Sequence, residues 1–323
     1  MAQAKKQDVI RYRGPEPAGV GQRIALVYNP DSNVWLRYAS QRDAESFLQQ
    51  LLDPFGLDYE LIPFSDISLD TLPERIRQTR STAIWAAGGD GTALAMAPLA
   101  QQLELPLGIL PTGTINMLAR DLGISLNLAT AVRQLLEASV SEIDMAEVNG
   151  RPFLCISNLG LATRFSQLRE DMRHRSGWIR WPAIFWHMVR TLLSYPNLHI
   201  EIEAEGKTWK IKSRAISISN NPLCDQGGIL PYRDRIDTGK LAIYITKETS
   251  IWSIPRLLSR LMMGNWQHDP ELLVIHTPEA LLRLPHHRSI RLMIDGEVSR
   301  LSTPLRYLIR AHSLKILKPE ASP

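Results

Sequence analysis

The amino-acid sequence predicts an α/β protein of two domains: a parallel sheet with helices on both faces, then an antiparallel, β-sandwich-like domain. Three observations predict it. Apolar strand-like segments alternate with helical ones up to about residue 142. Beyond about residue 143 that rhythm gives way to short strands joined by turn signals such as Asn149-Gly150. In the first half, two successive strands each run into a glycine-bearing turn that opens a helix, at residues 88–92 and 112–114.

The elements follow in order. Residues 1–22 are polar, with Gly and Pro, and read as a loose tail. "RIALVYNP" is a buried strand ended by Asn29-Pro30. Residues 34–52 carry helical spacing and stop at "DPFG". "LDYELIPF" alternates as a strand does, and "SLDTLPERIRQTR" reads as a helix capped by Ser68 or Asp70. "TAIWAA" is a short apolar strand leading into the first glycine turn, with a helix from Thr92. "LGIL" is the next strand, "PTGTINMLARDLG" turns into a short helix, and "NLATAVRQLLEAS" is a helix with Asn127 at its N-cap. Such alternation calls for a Rossmann-like parallel sheet.

In the second half "EIDMAEVNGRPFLCISNLG" holds an Asn-Gly hairpin, and "LHIEIEAEGKTWKIKSRAISISNNP" reads as strand, turn and one long strand. "TGKLAIYIT", "ELLVIHTP", "ALLRLP", "SIRLMIDGE" and "SLKILKP" add short strands, while "NWQHDPE" reads as a plain loop. The expected domains are an α/β domain over 23–142 and a β-rich domain over 143–306. A C-terminal segment, 307–323, is expected to pack back on the first.

Composition narrows the classes. A chain of 323 residues that is 44% hydrophobic and 22% charged is long enough for two sizeable cores. A net charge of +4 suits an anionic ligand or membrane surface but is too small to argue for nucleic acid. Cys155 and Cys224 sit among apolar residues without metal-ligand spacing and read as two buried thiols in a reducing compartment. The N-terminus lacks the apolar region of a signal peptide, and no run reaches the ~18 apolar residues of a membrane span. The expected location is cytoplasmic, with peripheral contact at the inner membrane face. Oligomeric state is not legible.

The first glycine turn, "GGDGT", lets backbone N–H groups approach an anion closely, at the N-terminus of a helix whose dipole favours phosphate. It is neither the Lys-bearing P-loop nor the dinucleotide pattern, and taken alone a tight structural turn explains it as well. "LPTGTIN" repeats the design after the next strand, and two such loops at one edge of a parallel sheet face one crevice.

Together, "GGDGT" and "PTGTINMLARDLG" resemble the catalytic domain of the diacylglycerol kinase family, which includes sphingosine and ceramide kinases and bacterial lipid kinases. NAD kinases share the first motif and the fold. The resemblance continues through Asn29-Pro30 and through "IDMAEVNGRPFLCISNLGL", with Asp144, Asn149-Gly150, Phe153, Asn158 and Gly160 at matching places. "ISISNNPLCDQGGILPYRDRIDTGKLAIYI" and the "IDGE" of residues 294–297 extend it.

The resemblance implies ATP held by Asn29, Gly88, Gly89, Asp90, Gly91, Thr92, Thr112, Gly113, Thr114 and Asn116. It implies Glu297 as general base on the acceptor hydroxyl and Asp295 as the residue orienting that base or the metal shell; on the residues alone, "IDGE" is equally a surface hairpin turn. Phosphoryl transfer needs charge neutralisation and an oriented hydroxyl, so Mg²⁺ is implied, with Asp237 and Asp144 at its site. Asp90 beside phosphate either joins that metal or water network or caps its own turn. Two places depart from the family pattern. Thr238 separates Asp237 from Gly239, and Met117 stands where a carboxylate usually follows Asn116; Asp121 lies one helical turn beyond.

"RHRSGWIRWPAIFWHMVRTLLSYP" combines Trp178, Trp181 and Trp186 with four arginines. Such a helix suits an interfacial contact with a lipid substrate at a membrane surface, and equally a helix covering the core with its arginines reaching water. His286-His287 lack a third ligand and read as solvated. The leading expectation is an ATP- and Mg²⁺-dependent kinase of a lipid hydroxyl, diacylglycerol or a related lipid. An NAD-kinase-like enzyme and a catalytically inactive nucleotide-binding regulator are the alternatives.

Overall fold

Strands that are apolar at every position can only sit between two covering layers, and the first half of the chain supplies them. The computed structural model describes residues 23–30, 44–64, 70–161, 163, 196–225, 232–247, 259–260, 263–264 and 266–320. The chain divides into two units, residues 1–143 with 314–323, and residues 144–313.

In the first unit β1 (Arg23–Tyr28), β2 (Asp58–Pro63), β3 (Ala83–Gly88) and β4 (Leu107–Pro111) pair in parallel, in the order β2-β1-β3-β4. β3 and β4 are buried at all positions. Trp85 on β3 stands opposite Gly108 on β4, where an added Cβ would lie 2.7 Å from the indole Cδ1; the glycine makes room for the largest side chain of this core. Helices Ala44–Leu52, Leu72–Thr79, Asp90–Leu103, Met117–Asp121 and Leu128–Leu136 complete the described part of the unit. Asp90–Leu103 lies against β3 and Leu128–Leu136 against β4.

Helix starts show where local chemistry prevails. Asn127 caps Leu128–Leu136 through its side chain, accepting from the Thr130 amide at 3.1 Å. Asp70 does not cap Leu72–Thr79, which begins after Thr71 without a side-chain cap. From Asp70 the third helical position is Pro73, which has no N–H for the carboxylate to bind. Ser68 lies outside the described residues. The helix after the first glycine turn begins at Asp90, two residues earlier than expected.

The second unit is antiparallel. Its chain order runs β5 (Ser139–Val148), which enters from the first unit, β6 (Arg151–Phe153), β7 (Ile156–Gly160), β8 (Leu198–Ala204), β9 (Lys207–Ser213) and β10 (Ala215–Asn220). It continues with β11 (Leu241–Thr246), β12 (Leu272–Thr277), β13 (Glu279–Arg283), β14 (Ser289–Ile294), β15 (Glu297–Ser302) and β16 (Leu305–Lys318). One sheet has the order β12-β11-β10-β7-β14-β15; in the other, β13 joins β16 to β8 and β9. This is the β-sandwich-like partner of the parallel domain. Three hairpins turn on two residues with positive φ at both, Asn149-Gly150, Glu205-Gly206 and Asp295-Gly296, as the right-handed twist of the flanking strands requires.

Three expectations need correction. The long strand after Gly206 is two strands in different sheets, β9 and β10. Ser213 breaks it: its hydroxyl donates to the Ala215 carbonyl at 2.9 Å and accepts from the Ala215 amide at 3.2 Å. "EVSRLS" forms β15, an edge strand that sequence reading did not separate from its turn. Trp266 of the supposed plain loop is buried against Tyr244, ring centroids 5.1 Å apart.

β16 runs unbroken across residue 306, and its residues from Leu314 onward belong to the first unit, where Ile316 pairs in parallel with Leu107. Cys155 is buried while Cys224 is half-buried, and neither forms a disulfide. Among the described residues no helix is long and apolar enough to cross a membrane. Trp178, Trp181 and Trp186 lie outside the described residues.

Candidate functional site

Parallel strands in register end together, so their following loops share one sheet edge. Tyr28 of β1 stands beside Ala87 of β3, and Gly88 beside Pro111 of β4. Backbone bonds then tie the three loops: Asn29 N–H donates to Ala87 at 3.2 Å, and Thr112 N–H to Gly88 at 3.1 Å. A Cβ on Gly88 would lie 2.1 Å from the Thr92 hydroxyl oxygen, and one on Gly113 would lie 2.3 Å from the Gly89 Cα. The two loops therefore touch backbone to backbone, and neither position accepts a side chain. Gly91 is half-buried beside them, Thr92 and Thr112 are buried, and Thr114 is exposed.

Asn116 closes the second loop. In the left-handed region at φ 52°, it accepts from the Gly113 amide and donates to the Gly113 carbonyl, both at 2.9 Å. Asp90 reaches across to the second loop. Its Oδ1 accepts from the Leu118 amide at 3.1 Å, so it caps the neighbouring helix Met117–Asp121 rather than its own turn. Its Oδ2 carries no hydrogen bond among the described residues. The structure thus gathers Gly88, Gly89, Asp90, Thr112, Gly113 and Asn116 at one edge of the parallel sheet.

The second unit holds a separate polar network. Asp144 is fully buried; its Oδ1 accepts from the His312 amide at 2.8 Å and its Oδ2 from the Gly239 amide at 2.6 Å. Asn221 Oδ1 accepts from both the amide and the hydroxyl of Thr238, at 2.7 and 2.6 Å. Asp237, half-buried, accepts from Arg235 Nε at 3.0 Å. Asn220 Nδ2 donates to the carbonyls of Asp144 and Leu154, at 2.9 and 3.0 Å.

The Asp295 carboxylate receives three amides: Leu154 at 2.6 Å, Cys155 at 2.9 Å and Ile156 at 2.7 Å. Burial pushes its pKa up to about 6, while those amides and the charge of Arg233 pull it down. Glu297 follows as the exposed first residue of β15, across the hairpin from Ile294, and its carboxylate makes no hydrogen bond or ion pair among the described residues. It has the exposure a proton acceptor needs; Asp295 is committed to the backbone.

The donor sets decide what a metal could meet. Among the described residues no cluster of three or more His, Cys, Asp or Glu is suited to hold an ion. Asp144 is sealed, with an amide on each oxygen, and does not fit as a direct ligand. Asp237 has one oxygen on Arg235. The carboxylate of Asp144 instead fixes the loop through Gly239.

Sequence reading missed Asn220, Asn221, Arg233 and His312. The "SNNP" run pointed to the first two without giving a role. His312 carries φ 51° inside a strand, and Arg233 is buried, and neither fact has a local sequence signal.

Residues 23–148 match the family model of the diacylglycerol kinase catalytic domain. Residues 156–318 match that of the YegS C-terminal NAD kinase beta sandwich-like domain. A Staphylococcus aureus (strain MSSA476) protein described as "Putative lipid kinase" is 26% identical over 238 residues, 72% of this chain and 76% of its own length. The same figures hold for a counterpart from strain MW2. A crystal structure of a "putative diacylglycerol kinase" from Bacillus anthracis str. Sterne superposes with a TM-score of 0.70 at 20% identity, over 93% of this chain and 98% of that one, a likeness of fold. One family model thus spans the touching glycine loops and the other spans half the chain, including the Asp-Gly-Glu hairpin, and the chain belongs to the diacylglycerol kinase catalytic-domain family of kinases.

Proposed function

We propose that this chain is an ATP-dependent lipid kinase that transfers the γ-phosphate to a lipid hydroxyl, diacylglycerol or a related lipid. The observation that carries the reading is the contact of Gly113 with Gly89, a side-chain-free cradle of two loops on one sheet edge. In this reading the first unit binds ATP through Asn29, residues 88–92, residues 112–114 and Asn116. Mg²⁺ bound with the nucleotide would supply neutralisation of the phosphate charge. In the first unit the Asp90 Oδ2 is the carboxylate oxygen that would meet such an ion; in the second, Asp144 positions the Asp237 loop through Gly239. Glu297 takes the proton of the acceptor hydroxyl as that oxygen attacks the γ-phosphorus and ADP leaves. A peripheral encounter with the membrane brings the acceptor, and Trp178, Trp181 and Trp186 are proposed contacts.

Labelled ATP offered with a lipid panel tests this, with Glu297→Gln as control. Labelled lipid from the wild type and none from the variant, with ATP binding retained, supports the reading. A Glu297→Gln protein with near-normal turnover sinks the assignment of the base. The second family model, named for an NAD kinase sandwich, favours one other acceptor, so NAD belongs in the panel. ATP binding without any labelled product would identify a nucleotide-binding regulator.

A further inference from the structure

Arg233 is 1% exposed, while the other described arginines of its unit lie mostly at the surface. Its NH1 donates to the carbonyls of Leu154 at 2.6 Å and Asn220 at 2.7 Å, and its NH2 to Cys155 Sγ at 3.4 Å. Asp295 grips the same stretch, sharing Leu154 and Cys155 with Arg233: it takes the amides of Leu154, Cys155 and Ile156 and gives its own amide to the Ile156 carbonyl at 2.9 Å. Residues 154–156 are thus clamped, cation on carbonyl and anion on amide. Burying a guanidinium is unfavourable unless its donors are satisfied, and an apolar residue of similar volume would fill the space as well. The arginine does what an apolar residue cannot: it fixes backbone direction.

Both ends of this clamp lead to residues of the proposed site. Asp295 is the first residue of the two-residue turn that delivers Glu297. Arg233 lies four residues before Asp237, on the segment that Asn221 holds at Thr238 and Asp144 holds at Gly239. We infer that Arg233 is a positioning residue for phosphoryl transfer, fixing Glu297 through residues 154–156 and Asp295, and fixing the Asp237 loop through its own backbone. The inference rests on the kinase reading above. The charge of Arg233 also works against burial in holding Asp295 ionised, the state that accepts three amides.

The test compares wild type, Arg233→Met and Arg233→Lys by kcat and KM with ATP and diacylglycerol in mixed micelles, and by amide hydrogen exchange at residues 154–156 and 295–297. A displaced catalytic group lowers turnover without weakening nucleotide binding. The expected result for Arg233→Met is a ~10- to 100-fold loss of kcat, KM for ATP within about 2-fold, and faster exchange at 295–297. Lysine, which keeps the charge but not the fork, should recover part of kcat. A folded Arg233→Met protein with kcat within about 2-fold of wild type overturns the inference, as does a loss that appears only in KM. If Arg233→Met does not fold, Arg233→Lys decides by the same split. If wild type phosphorylates no lipid, the kinase reading fails by itself. Exchange then decides the clamp: unchanged protection at 295–297 overturns it, and faster exchange supports it.

Discussion

Gly113→Ala is the sharpest perturbation of the first unit, because the methyl group meets backbone rather than a side chain. Its Cβ would lie 2.3 Å from the Gly89 Cα, 2.7 Å from Asn116 Oδ1 and 3.0 Å from the Gly89 amide nitrogen. Ordinary contact begins near 3.4 Å, so the loops must part by about 1 Å, and no rotamer change relieves that. Gly89→Ala probes the same contact from the other side, where the new Cβ would lie 3.3 Å from the Gly113 Cα and needs only a few tenths of an ångström. Neither glycine has positive φ, so strain from the backbone angle does not confuse the comparison. Overpacking costs about 1–3 kcal/mol, and ATP binding to parted loops should weaken by about 10- to 100-fold in Gly113→Ala. Gly89→Ala should stay within about 3-fold of wild type, a shift below 1 kcal/mol. Calorimetric titration with ATP, beside thermal unfolding to establish that each variant is folded, reads both. Equal ATP affinities in wild type and a folded Gly113→Ala protein would refute the cradle.

Three further outcomes follow from single contacts. Asp90→Ala removes the cap on the Leu118 amide and should lower stability by about 1 kcal/mol, whereas Asp90→Asn keeps an acceptor and should unfold near wild type; equal losses by thermal melting would show the cap is not what Asp90 provides. Asn221→Ala leaves both Thr238 donors without their acceptor and should cost about 1–3 kcal/mol in denaturant unfolding, with an unchanged midpoint counting against the network. Asp295 sets a pH dependence: with its folded pKa raised from 3.8 to about 6, the native state holds the proton more tightly than the unfolded chain does. That contribution to stability is complete below about pH 4 and is lost as pH rises through about 6, so Asp295→Asn should flatten this slope. A slope of opposite sign in wild type would mean that the three amides outweigh burial.

The parallel half of the fold was legible because its strands, such as Ala83–Gly88, are unbroken apolar runs bounded by turn residues. The hairpins at Asn149-Gly150 and Asp295-Gly296 were legible because few residue pairs accept positive φ twice. The split between β9 and β10 was not, since Ser213 breaks the strand with a side-chain bond that its neighbours in sequence do not announce. β15 buries one residue of six, Leu301, and so lacks the alternation that marks a half-buried strand. In the candidate site the residue types were visible and their partners were not. Asp90 reaches an amide 28 residues away, and Asp144 holds amides 95 and 168 residues away. A buried Arg233 defies the ordinary expectation for arginine, and only its partners explain it.

The two departures from the family pattern are absorbed by these long-range contacts. Met117 brings no carboxylate to the start of its helix, yet the Leu118 amide there is satisfied by Asp90 from the other loop. The two loops stay coupled through a helix cap as well as through their glycines. Thr238 lengthens the Asp237 turn by one residue, which would shift everything after it. Asn221 takes up the inserted residue by accepting both its amide and its hydroxyl, and Gly239 still delivers its N–H to Asp144 at 2.6 Å. Gly239 is thus held to the core at Asp144 with Thr238 in place. Deleting Thr238 is therefore expected to free Asn221 and to cost stability, although it restores the Asp-Gly of the family pattern. A deletion protein that is more stable than wild type in denaturant unfolding would show that Asn221 was no adaptation to the insertion.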